Sequence, residues 1–325
     1  MNRRELLLRV GAAIALPGAA HAQERPISLV VPYAPGGTTD MLGRLLAQEL
    51  APLLGRAIVV ENMPGAGSGI GATHVARAAP DGATLLVATS TTLAINPWIY
   101  PKLAYDPVKD FAPIGMIGAV PLCVVVQAAL PLHDIAGLVA AANARADGLT
   151  FGSAGNGSPQ HLAAELLKAA TVTRMTHVPY KGSAPALVDL MAGRLDVMFS
   201  DIAPALPHLK NGRLRALAVT SAQRQRVLPQ VPTVAESGVA GTADYEAVAW
   251  QALVAPAGMP ADRVQRVSDA LRSVLTRAAL REHLESEGFE PRPGSADELA
   301  ARLRSDSERW GRLIRSRLGA MLPAG

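Results

Sequence analysis

Short runs of Val, Ile and Leu alternate along the chain with segments whose apolar residues recur every three or four positions. The runs predict strands at Ser28–Val31, Ile58–Glu61, Leu85–Ala88, Val124–Gln127, Leu149–Gly152, Thr176–Val178, Val197–Ser200, Ala216–Val219 and Ala249–Ala255. Each run is continuously apolar, as strands covered on both faces are. Between them, Met41, Leu42, Leu45, Leu46, Leu50 and Leu53 share one face of a helix. His161–Ala169, Ala184–Ala192 and Val264–Ala279 repeat that period. Strand–helix alternation predicts an α/β architecture of mostly parallel sheets covered by helices. Ser295-Ala-Asp-Glu298 is a capping box opening a last helix that runs past Trp310. The charges of that helix read as a solvated face.

The first 22 residues change the picture of location. A basic start (Arg3, Arg4, Arg9) leads into an apolar, Ala-rich run ending in Ala20-His21-Ala22, a small-x-small cleavage pattern. This predicts a leader at residues 1–22, cut before Gln23, and export to the periplasm by the Sec or the twin-arginine route. The leader carries three Arg and one Glu, net +2, which leaves +2 of the chain's +4 on the mature protein. With aromatics at 4% and no basic run, no nucleic-acid partner is expected. Cys123 is the single cysteine and sits in an apolar run, so it reads as a small buried hydrophobe. About three hundred mature residues exceed what one core usually serves, and two lobes follow.

Candidate chemistry lies in loops after strands. In "YAPGGTTD" two glycines and three capping residues stand between a strand and a helix, where backbone N–H groups and a helix dipole receive anions. The alternative is a plain turn with a good cap. In "GSAGNGSPQHL" the pattern repeats, with Ser158 as cap and Pro159 as first helical residue. His161, one turn further, reads as a packed residue or a ligand contact. "ATSTTLAINP" offers hydroxyls at a strand exit, and "VPYKGSAPAL" sets Tyr180 and Lys181 at another. Asp201 in "FSDIAPALP" reads either as a receiver for an ammonium or hydroxyl group or as the cap of the next helix.

"GSGIGA", Gly67–Ala72, fits a dinucleotide-binding spacing, but Asn62, Met63 and Pro64 separate it from its strand. The acidic residue that such a site needs after the next strand is replaced by Thr89 and Ser90. No hydrolase elbow, phosphate-binding lysine loop or paired-histidine metal motif occurs; the loops offer cradles and no activated nucleophile, and neither cofactor nor metal is expected.

"RPISLVVPYAPGGTTDMLGRLLAQEL", "IVVENMPGAGSGIGA", "FGSAGNGSPQHLAAELL" and "VPYKGSAPALVDLMAGRLDVMFSDIAPALPHL" together resemble the Bug family, periplasmic solute-binding components of tripartite tricarboxylate transporters. The resemblance runs from about Pro26 to the last helix. It implies a two-lobed clamshell without catalysis, in which a small carboxylate is held by neutral donors. By that resemblance the ligand residues are Tyr33, Pro35, Gly36, Gly37, Thr38, Thr89, Ser90, Gly155, Asn156, Gly157, Ser158 and Asp201. Lobe one comprises residues 23–123 and 252–325 and lobe two residues 124–251, with crossings near Cys123–Gln127 and Trp250–Val254. The partners implied are a di- or tricarboxylate, amino acid or aromatic acid, and the permease subunits of the transporter, with the protein itself a monomer. A ligand-dependent partner of a sensor kinase and an exported enzyme acting on small acids are the competing readings.

Overall fold

The computed structural model describes residues 25–318. The leader predicted at residues 1–22 and its cut before Gln23 lie outside them.

Every apolar run becomes a strand: β1 (Ile27–Val31), β2 (Ile58–Asn62), β3 (Thr84–Thr89), β4 (Phe111–Gln127), β5 (Leu149–Ser153), β6 (Met175–Pro179), β7 (Val197–Asp201), β8 (Leu214–Val219) and β9 (Val248–Pro256). A further strand, β10 (Glu290–Gly294), was not legible because Glu-Pro-Arg-Pro-Gly has no apolar pattern. Its two prolines suit a strand that pairs on one side only, here with β4. The helices are α1 (Thr38–Leu54), α2 (Gly69–Ala76), α3 (Asn96–Ile99), α4 (Ile135–Ala144) and α5 (Pro159–Thr171), then α6 (Ser183–Met191), α7 (Ile202–Lys210), α8 (Ala261–Leu275), α9 (Ala278–Ser286) and α10 (Ala296–Leu313).

The strands form two sheets that share β4. In the first, β2, β1 and β3 pair in parallel, and β9, β4 and β10 continue antiparallel. In the second, β6, β5 and β7 are parallel, and β4 joins antiparallel with β8 beside it. The parallel ladders therefore occupy the outer part of each sheet, and the antiparallel ones fall where the chain passes between halves. β4 is 17 residues long, or roughly 55 Å at strand rise, enough to serve both sheets. It pairs with β9 through Pro121 and with β7 from Leu122 onward. The chain comes back just ahead of β9, where the Ala247 N–H still bonds Thr220 O of the second half.

Each half has its own core. On one face of the first sheet Leu29, Val31, Val87, Leu42, Leu46 and Leu50 meet Leu271 and Val274 of α8. Each such fully buried side chain is worth about 1.5–3 kcal/mol. α1 lies close enough that a Cβ at Gly43 would stand 2.6 Å from Val31. Leu53, assigned by its spacing to the buried face of α1, is 42% exposed, while Leu50 and Leu54 in the same turn are buried and carry that face. In the second half Phe151, Phe199, Leu138 and Leu167 form one cluster, and Cys123, Val125, Leu187 and Ile202 another. Cys123 is buried and free. At α10 both bonds of the capping box form, Glu298 N–H to Ser295 Oγ at 3.2 Å and Ser295 N–H to Glu298 Oε2 at 2.6 Å. That helix is not wholly a solvated face: Asp306 and Trp310 are buried, and Asp306 accepts from the Trp250 indole of β9.

Candidate ligand-binding site

Four helices begin at one place between the halves. α1 starts at Thr38 after β1, α5 at Pro159 after β5, α6 at Ser183 after β6, and α7 follows Asp201 at the end of β7. The first turn of a helix leaves N–H groups without internal partners and carries about half a positive charge. The starts of α1, α5 and α6 line a small cavity together with Tyr33, Thr89, Asp201, Trp250 and Gln251. Its volume is ≈ 30 Å³, room for a water or two. The halves are in contact beside it: Ala34 N–H bonds Lys181 O at 2.9 Å, and Thr91 Oγ1 donates to Gly157 O at 3.2 Å.

The lining is polar and buried, and part of it lacks partners. Thr38 Oγ1, Gln160 Oε1 and Gln251 Oε1 are buried without a hydrogen bond among the described residues. Gln251 Nε2 donates to Thr39 Oγ1 at 3.0 Å, and Gln160 Nε2 to Asp201 Oδ1 at 2.6 Å. Tyr33 OH pairs with Thr89 Oγ1 at 3.3 Å, which continues through Thr92 Oγ1 (3.2 Å) to Ser68 Oγ (2.8 Å). Burial raises the Tyr33 phenol above its ordinary value, so this chain of hydroxyls stays neutral. Burial also raises the Asp201 carboxyl, against the opposing pull of Thr38, Gln160 and Ser183. Thr38, at the start of α1, acts on Asp201 through both its side chain and its backbone N–H, although its Oγ1 makes no bond of ordinary geometry. Lys, Arg and His are all absent from the lining.

Of the residues read from the sequence, Tyr33, Gly37, Thr38, Thr89 and Asp201 line the cavity. Pro35, Gly36, Ser90, Gly155, Asn156, Gly157 and Ser158 are not among its lining residues, and several of their amides already have partners. Gly36 N–H donates to Asp40 Oδ2 at 3.0 Å. Burial alone would raise the Asp40 carboxyl, but Arg44, the Gly36 amide and Asn62 together hold it below its ordinary value. Gly155 N–H donates to Ser153 Oγ at 3.0 Å and Gly157 N–H to His161 Nδ1 at 3.1 Å. Ser158 caps α5 as its position predicts, accepting from His161 N–H at 3.2 Å. The loop thus faces the first half with its carbonyls: Asn156 O accepts from Tyr100 OH at 3.4 Å and Gly157 O from Thr91. Asp201 occupies the N-cap position of α7 without making the cap bond. Lys181 meets the first half through its backbone carbonyl.

His161 resolves as a packed residue. It stacks on His177 with centroids 3.8 Å apart and planes 8° apart, and His177 stacks on Phe151 at 4.9 Å. His177 Nε2 lies 2.6 Å from Ser153 Oγ, which accepts from Gly155 N–H. Two neutral imidazoles therefore set the Gly155–Ser158 loop, one at each end. Burial drives His161 down to about 3 and His177 down to about 4. Among the described residues no group of His, Cys, Asp and Glu could hold a metal ion, and no helix is long and apolar enough to cross a membrane.

Sequence reasoning missed Gln160, Ser183 and Gln251. Ser183 and Gln160 stand within quoted loops but carried no charge or cap signal. Gln251 had a sharper mark, an amide inside a strand otherwise buried and apolar.

Two α/β halves joined by crossing strands, with a polar cavity at converging helix starts, define a two-lobed solute-binding protein. Comparison with known proteins supplies the family. The chain belongs to the tripartite tricarboxylate transporter receptor family (TctC), whose profile matches residues 42–318. It is similar to a Rhodopseudomonas palustris protein solved with adipate, at 36% identity and TM-score 0.86, covering 90% of this chain and 97% of that one. The periplasmic binding protein BugD aligns at 34% identity and TM-score 0.85, covering 90% and 97%. MatC of Rhodopseudomonas palustris with bound malate aligns at 34% and TM-score 0.84, covering 90% and 99%. The match to the family profile begins within α1, so the "YAPGG" loop precedes it.

Proposed function

We propose that this protein captures a small carboxylate between its lobes in the periplasm and delivers it unchanged to the membrane subunits of a tripartite tricarboxylate transporter. The observation that carries the reading is the meeting of four helix starts at a cavity with buried, unpartnered polar side chains. Such a place stabilises an anion without a fixed cation. Adipate and malate, bound by two relatives, are both small dicarboxylates, which supports that class here. The cavity lining of Tyr33, Gly37, Thr38, Thr89 and Asp201, extended by Gln160, Ser183 and Gln251, is the ligand site; the Gly155–Ser158 loop supports closure. The lobes change over at Pro121–Leu122 on β4 and at Ala247–Val248 ahead of β9, a few residues from the boundaries at 123 and 252 read from the sequence. The protein acts as a monomer exported behind its leader.

The test is a thermal-shift screen of small carboxylates on the mature protein, followed by calorimetry and by NMR of the recovered ligand. A ligand at a hundred times its Kd stabilises the folded state by about 2.7 kcal/mol. The reading predicts stoichiometric binding of at least one carboxylate, recovered unaltered. A carboxylate consumed during incubation would make the protein an enzyme, and a screen without a stabilising carboxylate would remove the class.

A further inference from the structure

The halves touch at a second place, away from the cavity. The segment after β8 in the second half lies along the corner between α9 and β10 in the first, and together they line a groove of ≈ 480 Å³. Gln225 Nε2 donates to Glu290 Oε1 at 3.1 Å, and Arg226 Nη1 to Glu285 Oε2 at 3.0 Å. Gln225 is buried and also donates to Ser221 Oγ of its own half at 2.9 Å, while Arg292 steadies Glu290 at 2.6 Å. Gly288 turns the corner at φ +79°, and a Cβ there would overlap Ile202, the residue after Asp201. Among the described residues, the groove and the cavity share no lining residue.

The corner sits on the other face of β4. Val120 lines the cavity, so its neighbour Ala119 points the opposite way, on the face it shares with its cross-strand partner Glu290. Parting the halves at the cavity turns them toward each other on this face. Gly288 and Ile202 leave no room for that, so the corner must slide and the Gln225–Glu290 bond break. The bond therefore belongs to the closed arrangement. A buried hydrogen bond to a charged group is among the stronger polar contacts, whereas the exposed Arg226–Glu285 pair adds little. We propose that Gln225 and Glu290 are positioning residues that hold the lobes closed from behind the cavity, and so set ligand affinity without touching the ligand. Affinity follows the closed fraction wherever closure and binding are coupled. Only the affinity measurement below rests on the carboxylate-binding reading.

Calorimetry with adipate and with malate tests it on wild type, Gln225→Ala, Glu290→Ala and the double variant, with folding checked by circular dichroism. Either single change should weaken binding of the acid that wild type takes by about tenfold, and the double variant no further, because both remove one contact. Glu290→Gln keeps an acceptor for Gln225 and should cost about threefold at most. If Glu290→Ala does not fold, Gln225→Ala and Glu290→Gln decide the matter. Unchanged or tighter binding in Gln225→Ala would overturn the proposal. So would losses that add in the double variant, or a Glu290→Gln loss as large as that of Gln225→Ala, and each would leave carboxylate binding intact. Where wild type binds neither acid, small-angle scattering without ligand decides. A larger radius of gyration in Gln225→Ala than in wild type upholds the proposal whatever the ligand, and equal radii overturn it.

Discussion

Gly157 holds φ at +70°, and a Cβ there would stand 2.7 Å from Ile99 Cδ1 in the facing half. The left-handed backbone costs an L-residue about 1–2 kcal/mol, and the clash falls on the closed form. Gly157→Ala should therefore lower unfolding free energy by about that amount and weaken carboxylate binding as well; denaturation and calorimetry on one sample measure both. Wild-type values for both would mean that the loop does not touch the first half in solution. The stacked histidines give a second test. His177 titrates near 6.5 when unfolded and about 4 when folded. Between those values the unfolded chain binds a proton that the folded chain refuses, so stability falls as pH drops from 7 toward 4. By pH 5 the loss from this partly buried group is on the order of 1–2 kcal/mol. Urea denaturation of wild type and His177→Gln at pH 7 and pH 5 should show the smaller drop in the variant, and parallel drops would contradict the assignment.

At the scale of elements, the strands were legible because the interior of an α/β sheet admits only apolar runs, and the helix starts because glycines and caps mark them. Thr38, Thr89 and Asp201 could be singled out as candidates on that ground, while Tyr33 entered through the family resemblance. Gln251 could not, since its meaning comes from pairing: it lies opposite Thr89 on β3 and Gly118 on β4 and bonds Thr39, 212 residues away. The anion cradles were likewise half-legible. The sequence places Gly36 and Gly157 at helix starts, but only the fold sets Asp40 and His161 against their amides. The last helix was read as solvated because its charges dominate, while its few apolar residues do the packing. Trp310 and Ile314 join Ile95, Ile99 and Leu162 in one cluster, which ties α10 to α3 and its preceding turn in the first half and to α5 in the second. Trp310→Ala should cost about 3–5 kcal/mol, the usual range for emptying a buried aromatic site, measured as a lower denaturation midpoint at unchanged slope. A loss under 1 kcal/mol would mean the helix packs only weakly there.

The two halves close together around a cavity of ≈ 30 Å³, too small to admit a dicarboxylate from solvent unless they part. The two places where the chain changes sheets are adjacent, because Pro121 on β4 pairs with Val248 at the start of β9. Pro121 gives no ladder N–H, so the crossing is weakly tied where it must bend. Rotation there would separate Ala34 from Lys181 and Thr91 from Gly157 while leaving both cores intact. A ligand that bonds both halves favours the closed arrangement by its differential affinity for it. Small-angle X-ray scattering on the mature protein, with and without a saturating carboxylate from the screen, tests that claim most directly. Capture between two lobes predicts a smaller radius of gyration in the bound sample; a carboxylate bound at full occupancy with an unchanged radius would contradict it.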